Sequence, residues 1–211
     1  MKVAVIDYGM GNLRSVSKAI EHVAPGADVR VTSDAGEIAT ADRVVFPGQG
    51  AMPDCMREMD ARNLRPSVLE AARSRPFLGI CIGLQMLFET SEEGNTSGLG
   101  LFQGRVQRFA GLEAFQGAAG RLKVPHMGWN RVLQRRSHPL WSGIDDAARF
   151  YFVHSFYARP LAGDVIAGES EYGISFTCAV ARDNIFAVQF HPEKSQSSGL
   201  RLLANFISWN P

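Results

Sequence analysis

The chain has 211 residues, of which 45% are hydrophobic and 20% are charged, and its formal net charge is +1. This size and composition predict a single α/β domain over residues 1–211, and the near-neutral charge argues against a nucleic-acid partner. Three cysteines without Cys-x-x-Cys spacing (Cys55, Cys81 and Cys178) argue for a reducing compartment and against a disulfide framework. No apolar run approaches the length of a membrane span, and we expect a cytoplasmic protein without membrane contact.

The chain up to residue 90 alternates apolar runs with amphipathic stretches, the pattern of strands and helices in a parallel α/β sheet. Strands are expected at residues 2–7, 28–32 and 43–46. Helices are expected from 13 to about 22, with Asn12 as N-cap, and at 52–59 and 66–73. The turn DYGMGN is not a dinucleotide-binding fingerprint, because Arg14 stands where the third glycine of Gly-x-Gly-x-x-Gly is required.

Two glycines flank Gln49 in the segment PGQGAMPD, residues 47–54. Such a backbone can present amide N–H groups and can change its dihedral angles at little cost. The segment therefore suits an oxyanion-hole loop, and an ordinary glycine-rich loop remains an equal alternative.

The most informative stretch is RPFLGICIGLQMLFE, residues 75–89. FLGI is an apolar run typical of a buried strand, and the spacing of the later apolar residues predicts a helix that extends through Phe88. Cys81 lies at the turn between them, with Gly79 and Gly83 on either side, which is the arrangement of a nucleophile elbow carrying sulfur. A helix N-terminus favours the thiolate, the attacking species. A buried structural cysteine is the alternative, and the Gly-x-Cys-x-Gly spacing favours the nucleophile.

Beyond residue 90 we expect a polar loop to 100, a strand at 101–109 and an exposed, mobile Gly/Ala-rich loop at 110–120. The segment KVPHMGWN, residues 123–130, suits either a partly buried segment or a protein interface. Further strands are expected at 148–154, 165–169, 175–180 and 185–189, before a last helix capped by Ser198. These elements predict an α/β fold with a mostly parallel central sheet flanked by helices and an antiparallel extension.

His191 is the candidate general base. It follows the last predicted strand, and Glu193, two residues later in an extended chain, would lie on the same side and orient the imidazole. The proline between them would stiffen the pair. His22 and His138 are expected at the surface, and His154 is expected to be a structural strand residue.

Metal binding is the alternative interpretation of the histidines. His126, His154 and His191 would have to converge on zinc, but no pair of them has the spacing of metal ligands. We therefore expect no metal.

A thiolate, an imidazole and an orienting carboxylate beside backbone amides perform acyl transfer. Cys81 would attack an amide or ester carbon, and His191 would protonate the leaving group. Water would then hydrolyse the thioester with His191 acting as base. These residues predict the reaction type and leave the substrate open.

The motifs GICIGLQ and QFHPE resemble those of the class I (triad) glutamine amidotransferases. DYGMGN, PGQG, KVPHMGWN, YFVHSFY and HPEKSQ further resemble the glutamine amidotransferase subunits of imidazole glycerol phosphate synthases, over essentially the whole chain. This resemblance implies a Cys81–His191–Glu193 triad that acts on glutamine without a cofactor.

The resemblance also implies roles for further residues. Glutamine would be bound by Gly50, Gln85, Glu93, Ser155 and Phe156. The oxyanion hole would be formed by Gln49, Gly50 and Ile82. Gln49 departs from the small apolar residue that this loop often has in the family.

The family acts as a heterodimer with a (β/α)₈-barrel cyclase that receives the ammonia and makes imidazole glycerol phosphate and an aminoimidazole carboxamide ribotide in histidine biosynthesis. The residues expected to face that partner are Asn12, Met127, Trp129, Asn130, Tyr151 and Lys194. Two other classes remain open: a cysteine peptidase or other elbow-cysteine hydrolase that acts without a partner, and a non-catalytic binding subunit.

Overall fold

The computed structural model describes residues 1–109, 116–117 and 120–211, so the predicted loop at 110–120 lies largely outside the described residues. The strands are β1 (Lys2–Ile6), β2 (Asp28–Thr32), β3 (Arg43–Gly48), β4 (Phe77–Cys81), β5 (Phe88–Ser91), β6 (Thr96–Ser97), β7 (Phe102–Arg108), β8 (Gln116–Gly117), β9 (Gly120–Arg121), β10 (His126–Arg131), β11 (Leu133–Gln134), β12 (Arg149–His154), β13 (Phe156–Pro160), β14 (Ile166–Glu171), β15 (Ser175–Arg182) and β16 (Ile185–Val188). The α-helices are α1 (Leu13–Val23), α2 (Ala35–Ala39), α3 (Met52–Ala61), α4 (Arg65–Ser74), α5 (Ile82–Gln85) and α6 (Gln196–Ser208).

One large sheet organises the fold, in the order β2-β1-β3-β4-β16-β15-β13-β7-β5-β6, with β14 and β11 added beside β15. The strands from β2 to β16 are parallel, and every residue of β3, β4 and β16 is buried. From β15 onward most neighbours are antiparallel. The predicted parallel sheet with an antiparallel extension is therefore confirmed.

The register of the parallel strands creates the site. Gly48 at the end of β3 lies opposite Cys81 at the end of β4, and Ile80 lies opposite Val188 at the end of β16. The carboxyl ends of parallel strands meet at one edge of a sheet, where α/β proteins place their ligands. This edge gathers the glycine-rich loop, the elbow cysteine and the segment that leads to His191.

A two-stranded sheet of β10 and β12 borders the site, with His126 opposite His154 and Trp129 opposite Tyr151. The segment 123–130 therefore contributes a strand, which the sequence interpretation did not specify. Side chains alternate along it between a buried and an exposed side.

The predicted helix after Cys81 is too long. α5 ends at Gln85, and Phe88 begins a strand instead. The Leu87 carbonyl accepts backbone hydrogen bonds from Leu101 and Phe102, at 2.8 and 3.0 Å, so tertiary pairing replaces the helical bonds. For the same reason the predicted loop at 90–100 contains the end of β5 and all of β6.

Of the two predicted helix caps, Ser198 is wrong and Asn12 is confirmed in position only. α6 begins at Gln196, with Ser195 at the N-cap position, so Ser198 lies inside the helix. Asn12 occupies the N-cap position of α1 but makes no side-chain capping hydrogen bond. Strand β13 (Phe156–Pro160) was not predicted. No helix among the described residues is long and apolar enough to cross a membrane.

Candidate active site

Cys81 occupies a strained elbow. It has φ 56° and ψ −112°, a conformation that is costly for a residue with a side chain and that is found mainly where function requires it. A Cβ on Gly83 would lie 1.9 Å from the Phe46 carbonyl oxygen, and one on Gly79 would lie 2.9 Å from the Ala187 Cβ. Both glycines are therefore required for the close approach of neighbouring backbone, as the Gly-x-Cys-x-Gly spacing predicted.

His191 and Glu193 form a buried hydrogen-bonded pair, with 2.8 Å between Nδ1 and Oε1. The contact is as predicted, but residues Pro192–Lys194 form a 3₁₀ turn instead of an extended chain. The turn brings the carboxylate under the ring, and Ser195 Oγ donates to the His191 carbonyl at 2.6 Å to hold it. Because Glu193 accepts from Nδ1–H, Nε2 is the nitrogen left to act as the base.

The electrostatics of His191 favour the protonated ring. Burial alone lowers its pKa, but Cys81 and then the Glu193 carboxylate outweigh burial and raise the pKa to about 10. Nε2 has no hydrogen-bond partner by distance and angle within the described part of the chain, although Cys81 is close enough to raise the pKa of the ring. This arrangement suits a ring that accepts the thiol proton and holds it beside a thiolate.

Two buried side chains hold the glycine-rich loop through hydrogen bonds to its backbone carbonyls. Tyr8 donates its hydroxyl to the Pro47 carbonyl at 2.8 Å, and Cys55 donates its thiol to the Gln49 carbonyl at 3.5 Å. Burial raises the pKa of Cys55 to about 11, so this thiol keeps its proton at neutral pH. Gly50 has φ 102°, in the region that favours glycine.

A cavity of about 250 Å³ opens above the elbow. Its walls include every residue that was predicted to bind glutamine or form the oxyanion hole: Gln49, Gly50, Ile82, Gln85, Glu93, Ser155 and Phe156. Cys81 and His191 also face it, whereas Glu193 lies behind the histidine. The structure thus brings the predicted nucleophile, base and binding residues to this one cavity.

Two polar side chains give the cavity its chemistry. Gln85 is 1% exposed, and its Oε1 has no partner among the residues that the structure describes, so its capacity to accept a hydrogen bond is unused. Glu93 accepts from the Met52 amide at 2.8 Å, which fixes one carboxylate oxygen at the wall of the cavity. An acceptor amide and a carboxylate match the carboxamide and ammonium ends of an amino-acid amide.

The sequence interpretation missed three polar residues at this site. His154 lines the cavity, and its Nδ1 donates to the Phe156 carbonyl at 2.8 Å. His126 Nδ1 lies 2.9 Å from His154 Nε2, and Gln189 contacts Cys81. For two of them the sequence signal is adjacency, since His154 precedes Ser155 and Gln189 stands two residues before His191.

The other two histidines differ from each other. His22 is exposed on α1, as expected. His138, which was expected at the surface, is half-buried, with its ring 4.6 Å from that of Phe186 and 5.1 Å from that of Trp209. In residues 1–109 and 122–211, no group of three histidine, cysteine or acidic side chains is arranged to hold a metal.

Exposed aromatic and sulfur side chains mark the outer face of β10 and β12. Met127 is 62% exposed and Trp129 is 41% exposed, on the same side of β10. The Tyr151 ring lies 6.1 Å from that of Trp129 across the strand pair. Large apolar side chains at this exposure are typical of a binding surface.

The remaining three residues predicted at the interface lie elsewhere around the site. Lys194 lines the cavity. Asn12 follows Gly11, which lies beside the glycine-rich loop: a Cβ added to Gly11 would be 4.0 Å from the Gly48 Cα. Asn130 lies on the opposite side of β10 from Trp129 and donates to the Glu171 carbonyl at 2.8 Å and to the His126 ring at 3.2 Å. The structure does not bring its side chain to the exposed face.

The buried histidine pair makes the fold sensitive to acid. Burial lowers the pKa of His126 to about 4, and burial followed by the neighbouring His126 lowers that of His154 to about 3. Both values lie below the unfolded value of about 6.5. The stability from keeping these rings neutral is therefore complete above about pH 6.5 and is lost as the pH falls through 4.

We expect a His126→Phe variant to show a weaker dependence of unfolding free energy on pH between pH 5 and 6.5. The slope should fall by up to about 1.4 kcal/mol per pH unit, because one fewer proton is bound on unfolding. Phenylalanine preserves the stacking on Phe152 and Tyr172, whose rings lie 4.9 and 4.1 Å away. Urea denaturation at several pH values measures the slope. His22→Gln, at an exposed site, is the control, and an unchanged slope in His126→Phe would contradict the prediction.

Comparison with known proteins agrees with this geometry. A family model described as glutamine amidotransferase class-I matches residues 4–209. The chain is 66% identical to imidazole glycerol phosphate synthase subunit HisH of Aromatoleum aromaticum, over 99% of both chains. It is 65% identical to the protein of the same description from Thiobacillus denitrificans, over 99% of this chain and 92% of that one.

Solved structures are similar in fold. A putative GMP synthase subunit from Thermoplasma acidophilum aligns over 99% of this chain and 92% of its own, with a TM-score of 0.70 at 20% identity. A structure described as a glutamine amidotransferase aligns over 98% of this chain and 97% of its own, with a TM-score of 0.71 at 17% identity. The matches in sequence establish that the chain belongs to the class-I glutamine amidotransferases, in the HisH family.

Proposed function

We propose that this chain is the glutaminase subunit of an imidazole glycerol phosphate synthase and hydrolyses glutamine through a thioester on Cys81. The observation that carries the proposal is the small cavity lined by Cys81, His191, Gln85 and Glu93, in which the Gln85 Oε1 has no partner among the described residues. A carboxamide that donates to Gln85 and an ammonium that pairs with Glu93 would place the substrate carbon at the elbow. Backbone groups of Ser155 and Phe156 would bind its α-carboxylate.

The reaction follows from the proton positions. The Cys81 proton passes to His191 Nε2, and the thiolate attacks the carboxamide carbon. Backbone amides near Gln49–Gly50 and Ile82 would stabilise the oxyanion that forms. His191 then gives its proton to the departing nitrogen, which leaves as ammonia, and the thioester remains. Water attacks the thioester while His191 takes its proton, and glutamate is released.

The partner follows from the family and from the exposed face of β10 and β12. The relatives are subunits of a synthase by description, which implies a second chain. A (β/α)₈-barrel cyclase seated on Met127, Trp129 and Tyr151 would receive the ammonia and make imidazole glycerol phosphate and aminoimidazole carboxamide ribotide in histidine biosynthesis. Asn12 and Lys194 would adjoin this contact, whereas the Asn130 side chain lies on the opposite side of β10. The three free cysteines suit a cytoplasmic location.

The test is glutamine hydrolysis by the purified chain, alone and with the cyclase and its nucleotide ligand. We expect glutamate release to rise by about 5- to 150-fold or more with the liganded cyclase, because the glycine-rich loop would present its amide only in the complex. A glutamine-analogue electrophile should label Cys81 and leave the buried Cys55 and Cys178 unmodified.

Three outcomes separate the candidate functions. Equal hydrolysis with and without the liganded cyclase would exclude coupling through the loop. Hydrolysis of peptides in the absence of any partner would favour a cysteine peptidase. No glutamate and no adduct on Cys81 in the complex would leave only a non-catalytic subunit.

A further inference from the structure

Gln189 links the nucleophile to the substrate-binding residue Gln85. It is fully buried directly after β16, and its backbone amide donates to the Cys178 carbonyl at 2.8 Å. Its side-chain Nε2 lies 3.7 Å from Cys81 Sγ, and its Oε1 lies 3.0 Å from Gln85 Nε2. A distance of 3.7 Å is within hydrogen-bond range for a sulfur acceptor, whose radius exceeds that of oxygen.

The orientation of both carboxamides follows from one carbonyl. The Phe156 carbonyl can only accept, so Gln85 must present its NH₂ group to it, at 3.1 Å. The second hydrogen of the same NH₂ group then points to Gln189, which must answer with its oxygen. The NH₂ group of Gln189 is consequently the end that faces Cys81.

We propose that Gln189 is a further catalytic residue, which donates an N–H to the Cys81 sulfur and favours the thiolate before attack. The inference rests on the proposed glutaminase function and deepens it. In this step the S–H bond breaks, the proton moves to His191 Nε2, and Gln189 keeps its own protons. A buried donor aimed at a forming anion stabilises it more than water does, because no solvent must reorganise.

The network also explains why Gln85 Oε1 has no partner in the described ranges of the chain. Both hydrogens of its NH₂ group are used, toward Phe156 and toward Gln189, so its oxygen is directed elsewhere and remains free. The carboxamide of Gln189 thus has two effects. Its NH₂ group donates to the Cys81 sulfur, and its oxygen fixes the orientation in which Gln85 Oε1 is left to accept from the substrate.

The experiment is the pH dependence of Cys81 alkylation by iodoacetamide, followed by peptide mass spectrometry. It needs no glutamine turnover, so it reports on Gln189 even if the chain proves not to be a glutaminase. For Gln189→Leu, we expect the midpoint of alkylation to rise by about one pH unit, with about tenfold slower alkylation below both midpoints. Gln189→Glu should raise the midpoint further, because an ionised carboxylate repels the thiolate.

The controls separate this role from a structural one. Ser170→Ala removes another buried polar group, 1% exposed and without a partner among the described residues, and should leave the midpoint unchanged. If Gln189→Leu does not fold, Gln189→Met, which is unbranched and of similar length, gives the same readout. A folded variant of either kind with the midpoint of the unmodified chain would overturn the proposal.

Discussion

Replacement of His191 with asparagine is expected to lower the kcat of glutamine hydrolysis by about 10⁴-fold. In the proposed mechanism the ring takes the thiol proton and returns it to the leaving nitrogen, whereas Glu193 lies behind the ring and does not line the cavity. The asparagine side-chain amide occupies the position of the His191 Nδ1 and can still donate to Glu193, so the turn at Pro192–Lys194 should remain intact. Glutamate release by the complex measures the effect.

The KM for glutamine should change far less than kcat, since Gln85 and Glu93 remain in place. His22→Asn, on the exposed side of α1, should have the activity of the unmodified chain. If His191→Asn retained more than about a tenth of the normal kcat, another group would have to be the base.

Replacement of Gly83 with alanine is expected to destabilise the fold by about 3 kcal/mol or more. The new Cβ would lie 1.9 Å from the Phe46 carbonyl oxygen and 3.0 Å from its carbon, and both atoms belong to the backbone of a buried strand. Because no flexible side chain can yield, β3 and α5 would have to separate. Urea denaturation should show a lower midpoint with little change in slope.

Gly163→Ala is the matched control. A Cβ at Gly163 would meet nothing within 4 Å, so its effect should stay within about 0.5 kcal/mol. A Gly83→Ala variant as stable as the control would show that the elbow tolerates a side chain there, and the account of the Gly-x-Cys-x-Gly spacing would be wrong.

The parts of this molecule that can be predicted from sequence are those that short-range rules determine. The parallel strands follow from apolar runs bounded by turns, and the elbow follows from glycines two residues on either side of Cys81. The pairing of His191 with Glu193 needs only two residues of chain, so it was predicted correctly even though the turn between them was not. Gln85 and Glu93 came instead from a family resemblance.

The parts that could not be predicted depend on long-range contacts. The helix after Cys81 ends early because the Leu87 carbonyl pairs with Leu101, far beyond a helical repeat. His126 and His154 meet only because β10 and β12 pair in register, and no local pattern states that register. In the sequence, Gln189 is an ordinary polar residue after a strand, and only the folded structure brings it beside Cys81.

Asn130 affects how mutagenesis of the outer face should be interpreted. Its amide holds His126, which bonds to His154, which in turn bonds to the carbonyl that orients Gln85. An alanine scan of β10 would therefore combine two kinds of defect. Loss of activity in a Trp129 variant would report weaker docking of the cyclase. Loss of activity in an Asn130 variant would also include a change in the cavity beside Cys81. Titration of each variant with the cyclase separates the two, because saturating partner restores turnover only where docking was the fault.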